Sequence, residues 1–214
     1  MFSKAKALKI IKLLRECYPI PYTELKYSRD YELLFAARLA AQCTDARVNT
    51  VTPSLFKEYP SLEAFASADV RELEKIIFSC GFYKTKARDI IAAASMLLLQ
   101  FDGSVPDNME DLLKLPGVGR KTANLMLGDI FNKPAVVVDT HCIRLSNRIG
   151  LVVTKNPEKI EAELRMILPP DLSSDFCHRL VLHGRAVCTA RKPYCEKCCI
   201  SRYCEYHTLN TDVF

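Results

Sequence analysis

Leu115-Pro116-Gly117-Val118-Gly119-Arg120-Lys121-Thr122-Ala123 puts a helix stop and a helix start within nine residues. Upstream, Met109 to Leu115 reads as helix, and Pro116 ends it because proline cannot continue the backbone hydrogen-bond ladder. Gly117 and Gly119 permit positive φ and let a foreign backbone come close. From Arg120 the pattern is helical again. The first turn of a helix presents backbone N–H groups, which suit an anion. A hairpin built this way can hold a DNA phosphate without reading sequence. Pro-Gly-x-Gly alone also fits an ordinary helix–helix turn, so the wider sequence has to choose between the two.

Outward from the hairpin the chain is helical almost throughout. Ala87, Ile90, Ile91, Ala94, Leu97 and Leu98 recur at the spacing of one helix face. Leu33, Ala36, Ala37 and Ala40 make a second, small-residue face, and Val70, Leu73 and Ile77 a third. Ala7, Leu8, Ile10, Ile11 and Leu14 predict an N-terminal docked helix over the stretch from Met1 to Leu14 rather than a targeting peptide. Strand-like alternation is nearly missing. Val136 to Val138 is short enough to be a strand or a buried loop. The expectation is an all-α protein of about ten short helices joined by tight turns.

With 214 residues, 49% hydrophobic and 26% charged, the chain has the composition of an ordinary globular protein of one or two domains. The longest apolar stretch, Ile90 to Leu99, is too short to span a membrane, so no membrane partner is expected. The net charge of +5 is mild. Its distribution says more. From Leu112 to Arg148 six cations (Lys114, Arg120, Lys121, Lys133, Arg144 and Arg148) face only two carboxylates, Asp129 and Asp139. Such an excess fits a polyanion, and equally an ordinary solvated surface.

Two residues carry candidate chemistry. Lys121 falls in the first turn of the helix after the hairpin, beside Arg120. It is a candidate nucleophile and equally a candidate phosphate ligand. Asp139 follows the apolar run and precedes Thr140-His141, where an acid caps a helix. The same carboxylate could accept a proton from an amine and stabilise positive charge developing on a sugar.

Ten cysteines in a chain with no signal peptide are not read as disulfides. Four of them, Cys188, Cys195, Cys198 and Cys204, have the spacing C-x6-C-x2-C-x5-C, which reads as a metal site. Zinc is the general expectation for four cysteines, but only one C-x2-C pair is present and no histidine stands at a zinc-finger spacing. Cys199 is a spare thiol beside them. Cys17, Cys43, Cys80, Cys142 and Cys177 read as small buried apolar residues.

Taken together these strings resemble the endonuclease III family over essentially the full length. The resemblance is carried by Ala41-Gln42-Cys43-Thr44-Asp45, Gly81-Phe82-Tyr83, the hairpin, Val138-Asp139-Thr140-His141, Leu182-His183-Gly184-Arg185 and the cysteine loop. It implies two helical domains with a DNA-binding cleft between them. One is a six-helix domain over residues 23–133 with the helix–hairpin–helix motif. The other joins residues 1–22 to 134–214 and holds a 4Fe-4S cluster on the four cysteines. It also implies that Lys121 and Asp139 face each other as catalytic residues. Gly117, Val118, Gly119, Arg120, Gln42, Phe82, His141, Arg144, Arg191 and Lys192 are the residues it places on DNA. Gln42 and Phe82 are similar to residues that enter the duplex where a base leaves, although the family often has an aliphatic residue at the Phe82 position.

The activity implied is that of a DNA glycosylase and abasic-site lyase acting as a monomer on damaged double-stranded DNA inside the cell, in the cytoplasm and on the nucleoid if the source is bacterial. Lys121 sets the chain apart from the adenine-specific mismatch glycosylases, which lack that lysine. The cysteine loop sets it apart from most oxoguanine glycosylases. Oxidised pyrimidines and abasic sites are therefore the expected substrates. The competing reading is a non-catalytic helix–hairpin–helix module with a structural metal, which would need neither Lys121 nor Asp139.

Overall fold

The computed structural model describes residues 4–211. Among them the regular structure is entirely helical, which agrees with the all-α expectation. Residues 1–3 of the N-terminal stretch lie outside the described residues. The remainder forms α1 (Lys4–Cys17), burying Ala7, Ile10, Ile11 and Leu14 while Leu8 stays exposed.

The chain divides into two compact units. One comprises Thr23–Asn132; the other joins the residues up to Tyr22 to those from Lys133 onward.

The Thr23–Asn132 unit carries α2 (Asp30–Leu39), α3 (Asp45–Glu58), α4 (Leu62–Ala66), α5 (Val70–Ile77), α6 (Tyr83–Gln100), α7 (Met109–Lys114) and α8 (Arg120–Asp129). The starts follow from local chemistry. Thr44, Ser61, Asp69 and Asn108 each accept a backbone N–H from the first turn they cap. The stripe read on α6 is the buried one, with Ala87, Ile90, Ala94 and Leu97 all inside. An aromatic cluster fills the space beneath α4, where Phe35 and Phe65 meet edge to face at 4.9 Å between ring centres. Both rings are fully buried, and truncating either would cost about 3–5 kcal/mol.

The second unit is built on α1, α9 (Thr140–Ile149), α10 (Pro157–Ile167), α11 (Ser173–Ala186) and α12 (Glu205–Thr211). Ala135 to Val138 is an extended, buried loop and not a strand. It has no neighbouring strand to pair with, and the Ser173 hydroxyl instead accepts the Ala135 N–H at 3.2 Å. The N-terminal helix is tied in by Lys6, whose Nζ donates to Ile149 O at 2.7 Å and pairs with Glu205 at 3.0 Å. Arg179, almost fully buried on α11, donates to the carbonyls of Tyr18 and Pro19 and so fixes the chain as it leaves α1.

Candidate functional site

The hairpin folds as its glycines require. Gly117 sits at φ +75°, and a Cβ there would lie 2.6 Å from Arg38 Nε and 2.8 Å from Asp89 Oδ2. Those two side chains form a half-buried ion pair, with Nε donating to Oδ2 at 2.7 Å. The turn therefore rests directly on the pair, and only glycine gives both the dihedral and the clearance. Val118 N–H closes the turn on Leu115 O, and Ala123 N–H opens α8 on Gly119 O. No side chain caps α8, because its N-cap is Gly119. A helix start without a side-chain acceptor is the form an anion site takes. Lys121 is exposed in this first turn, next to exposed Arg120.

Asp139 is the N-cap of α9, its Oδ1 accepting Cys142 N–H at 2.7 Å. The capping role is thus real, and it fixes the carboxylate's direction. Two of the residues expected on DNA lie on the same helix and have structural work. Arg144 donates through Nη2 to Gly184 O at 3.1 Å and Cys188 O at 3.0 Å, and also meets His141 Nδ1 at 3.2 Å. Gly184 makes room for this, since a Cβ there would be 2.5 Å from His141 Nδ1. The Leu182-His183-Gly184-Arg185 string thereby acquires a reason for its glycine.

The four cysteines converge. Cys188, Cys195, Cys198 and Cys204 line one small cavity in the unit that carries α9 and α11. Two side chains aim donors at its sulfurs. Arg148 Nη1 lies 3.3 Å from Cys188 Sγ, and His183 Nε2 lies 3.3 Å from Cys198 Sγ. Arg148 also donates to Thr189 O at 2.7 Å and Ala190 O at 2.8 Å, and its guanidinium packs over Tyr206 at 4.9 Å. The His183 ring is buried, which pushes its pKa down to about 4, and Tyr18 Oη holds its other nitrogen at 3.0 Å. A thiolate ligand has only lone pairs to offer, so donors from Arg148 and His183 suit a metal-bound sulfur. Among the described residues no three His, Cys, Asp or Glu side chains are placed to share a single ion. Four thiols lining one cavity, with donors aimed at two of their sulfurs, suit a thiolate-ligated metal group. Arg148 and His183 were not assigned roles from sequence. The signal for Arg148 was its place one turn after Arg144 on the same helix face. Arg191 and Lys192 are exposed on the first cysteine loop.

Residues 35–170 match the model of the HhH-GPD superfamily of base excision DNA repair proteins. The endonuclease III of Synechocystis is 45% identical over 202 residues, covering 94% of this chain and 92% of that protein. That of Escherichia coli K12 is 43% identical over 204 residues, covering 95% and 97%. The chain belongs to the endonuclease III family. The structure of a trapped endonuclease III–DNA covalent intermediate superposes with a TM-score of 0.92 at 36% identity, covering 99% of this chain and 100% of that one. A thermostable thymine-DNA glycosylase, 23% identical with a TM-score of 0.84, shares the fold.

Within this endonuclease III family member, Gln42 and Phe82 fall on two turns of the Thr23–Asn132 unit. Both are exposed, and both adopt positive φ, at +55° and +46°. Left-handed backbone is uncommon for such residues, and for a bulky phenylalanine it marks a conformation imposed by its surroundings.

Proposed function

We propose that this protein is a bifunctional DNA glycosylase and abasic-site lyase of base excision repair, acting on oxidised pyrimidines in double-stranded DNA. The observation that carries the reading is the α8 start. A glycine hairpin that suits phosphate is followed within one turn by an exposed lysine, in a chain of the endonuclease III family.

The hairpin holds the backbone while the damaged nucleotide rotates out of the stack, which costs least where the lesion already stacks poorly. Lys121 Nζ attacks C1′ of the extruded deoxyribose. The C1′–N bond breaks, and the base leaves with its electron pair and takes up a proton. Loss of the amine's protons and opening of the sugar give an imine to Lys121. Removal of a C2′ proton then expels the 3′ phosphate oxygen, which cuts the strand by β-elimination. Asp139, held by its cap bond, stabilises the cationic sugar and takes the amine's proton.

Cys188, Cys195, Cys198 and Cys204 would hold a 4Fe-4S cluster, with Arg148 and His183 beside its thiolates. Such a group would tie the loop into one body beneath the exposed Arg191 and Lys192. The enzyme works inside the cell on the chromosome.

The test uses a duplex carrying one ring-saturated pyrimidine, with Asp139→Asn as the variant. Asparagine keeps the cap, so the melting free energy should stay within about 0.5 kcal/mol. Excision should fall by roughly 10²-fold or more. Full excision by the variant would remove Asp139 from the chemistry, whereas neither excision nor strand cleavage by the parent on lesion or abasic duplex would favour the non-catalytic DNA-binding module.

A further inference from the structure

Lys86 is the one lysine among the described residues in the buried class, with 0% relative exposure, and no step of the reaction above uses it. Its Nζ donates to two carbonyls 47 and 6 residues away in sequence, Leu39 O at 2.7 Å and Cys80 O at 2.9 Å. Those carbonyls end the two segments that lead into the strained positions. Leu39 closes α2, and Ala40-Ala41 then delivers Gln42. Cys80 closes a short 3-10 turn, and Gly81 then delivers Phe82. The thiols of Cys43 and Cys80, one on each turn, lie near the amine.

Burying a lysine is costly, and its desolvation pushes its pKa down. A chain that only needed to fill this space could do so with leucine or methionine. An amine does something those cannot: it joins two helix-end carbonyls from different turns, which no backbone donor reaches. We infer that Lys86 is a positioning residue, a clamp that holds the Gln42 and Phe82 turns in register so that both side chains enter the duplex together. This inference rests on the reading of Gln42 and Phe82 as the residues that fill the gap left by an extruded base.

Both turns leave their side chains exposed in left-handed backbone. The strain is sustained from beneath, and Lys86 is the group that reaches both turns. Preorganisation of this kind matters only where a stack has to be opened. A substrate that is already unstacked does not need the pair in register.

The experiment compares Lys86→Met, which keeps the stem and removes the donor, with Gln42→Ala and Phe82→Ala. Each is assayed on a lesion in paired duplex and on a single-stranded abasic oligonucleotide, which has no stack to open. Melting and iron content are recorded for each protein. Lys86→Met should lose roughly 10²-fold in kcat/KM on the paired lesion, the scale expected for misplacing a positioning group by about 1 Å, and keep single-strand cleavage within about threefold. A 2-aminopurine placed opposite the lesion should show a smaller fluorescence rise than with the parent. Equal loss on both substrates means that Lys86 merely supports the fold, and this overturns the inference. Full activity of Lys86→Met beside impaired Gln42→Ala and Phe82→Ala overturns the clamp alone. Full activity of those two alanine variants overturns the wedge reading, and the clamp with it.

Discussion

Two loops of this molecule are fixed by opposite means. The hairpin from Leu115 to Gly119 is set by backbone chemistry, with a proline stop, a glycine at φ +75° and two main-chain hydrogen bonds. It bears on the rest of the fold through buried Leu115 and through the Arg38–Asp89 pair on which Gly117 sits. The loop from Cys188 to Cys204 contains no helix longer than three residues. It is held by long side chains reaching in from α9 and α11, which satisfy its carbonyls and sulfurs one by one. A loop of the first kind is formed before any ligand arrives. A loop of the second kind has four thiols lining one cavity, and a group bound there would add to its order.

The largest effect expected from this contrast is loss of a thiolate. Cys198→Ser, in a protein that should be brown from thiolate-bound iron, is expected to lose absorbance near about 400 nm. It should lose about 5 kcal/mol or more of stability. Amide exchange would rise from Val187 to Cys204 and stay slow across Leu115 to Ala123. A zinc-loaded, colourless and fully active parent, or exchange rising equally in both loops, would break the comparison.

Next comes Gly117→Ala. Its Cβ meets Arg38 and Asp89 in a left-handed backbone, so a loss of about 2–3 kcal/mol is expected, measured by chemical denaturation. Undamaged-duplex binding should weaken in step. An alanine variant with parental stability and affinity would mean that the turn relaxes freely.

The smallest effect belongs to Arg191→Ala and Lys192→Ala. Both residues are exposed, so stability should move by less than about 0.5 kcal/mol. Each should lower the slope of log affinity against log salt by about 0.9. An unchanged slope in both would remove the cluster loop from the DNA contacts.

How much of this was legible in the sequence depends on how local each signal is. The hairpin, the α6 stripe and the Asp139 cap are written in a few consecutive residues, and each formed where it was expected. Val136 to Val138 stayed open because an isolated apolar triplet carries no period; only the fold around it decided for a buried loop. Arg148 stands one turn after Arg144, but its sulfur partner lies 40 residues away, and the partners of His183 and Tyr18 lie 15 and 165 residues away, so no local pattern shows what these side chains hold. Lys86 was hidden most completely. On a helix it reads as a solvated cation, and only the convergence of two turns reveals a buried one.

The central claim is that the Lys121 amine forms the covalent link to the sugar. Borohydride reduction on a duplex carrying thymine glycol, parent beside Lys121→Ala, tests it directly. The account predicts a trapped protein–DNA species in the parent, located at Lys121 by peptide mass, and none in the variant, although the variant still binds the duplex. An equal yield of trapped complex from Lys121→Ala, or adduct located at another amine, would contradict it.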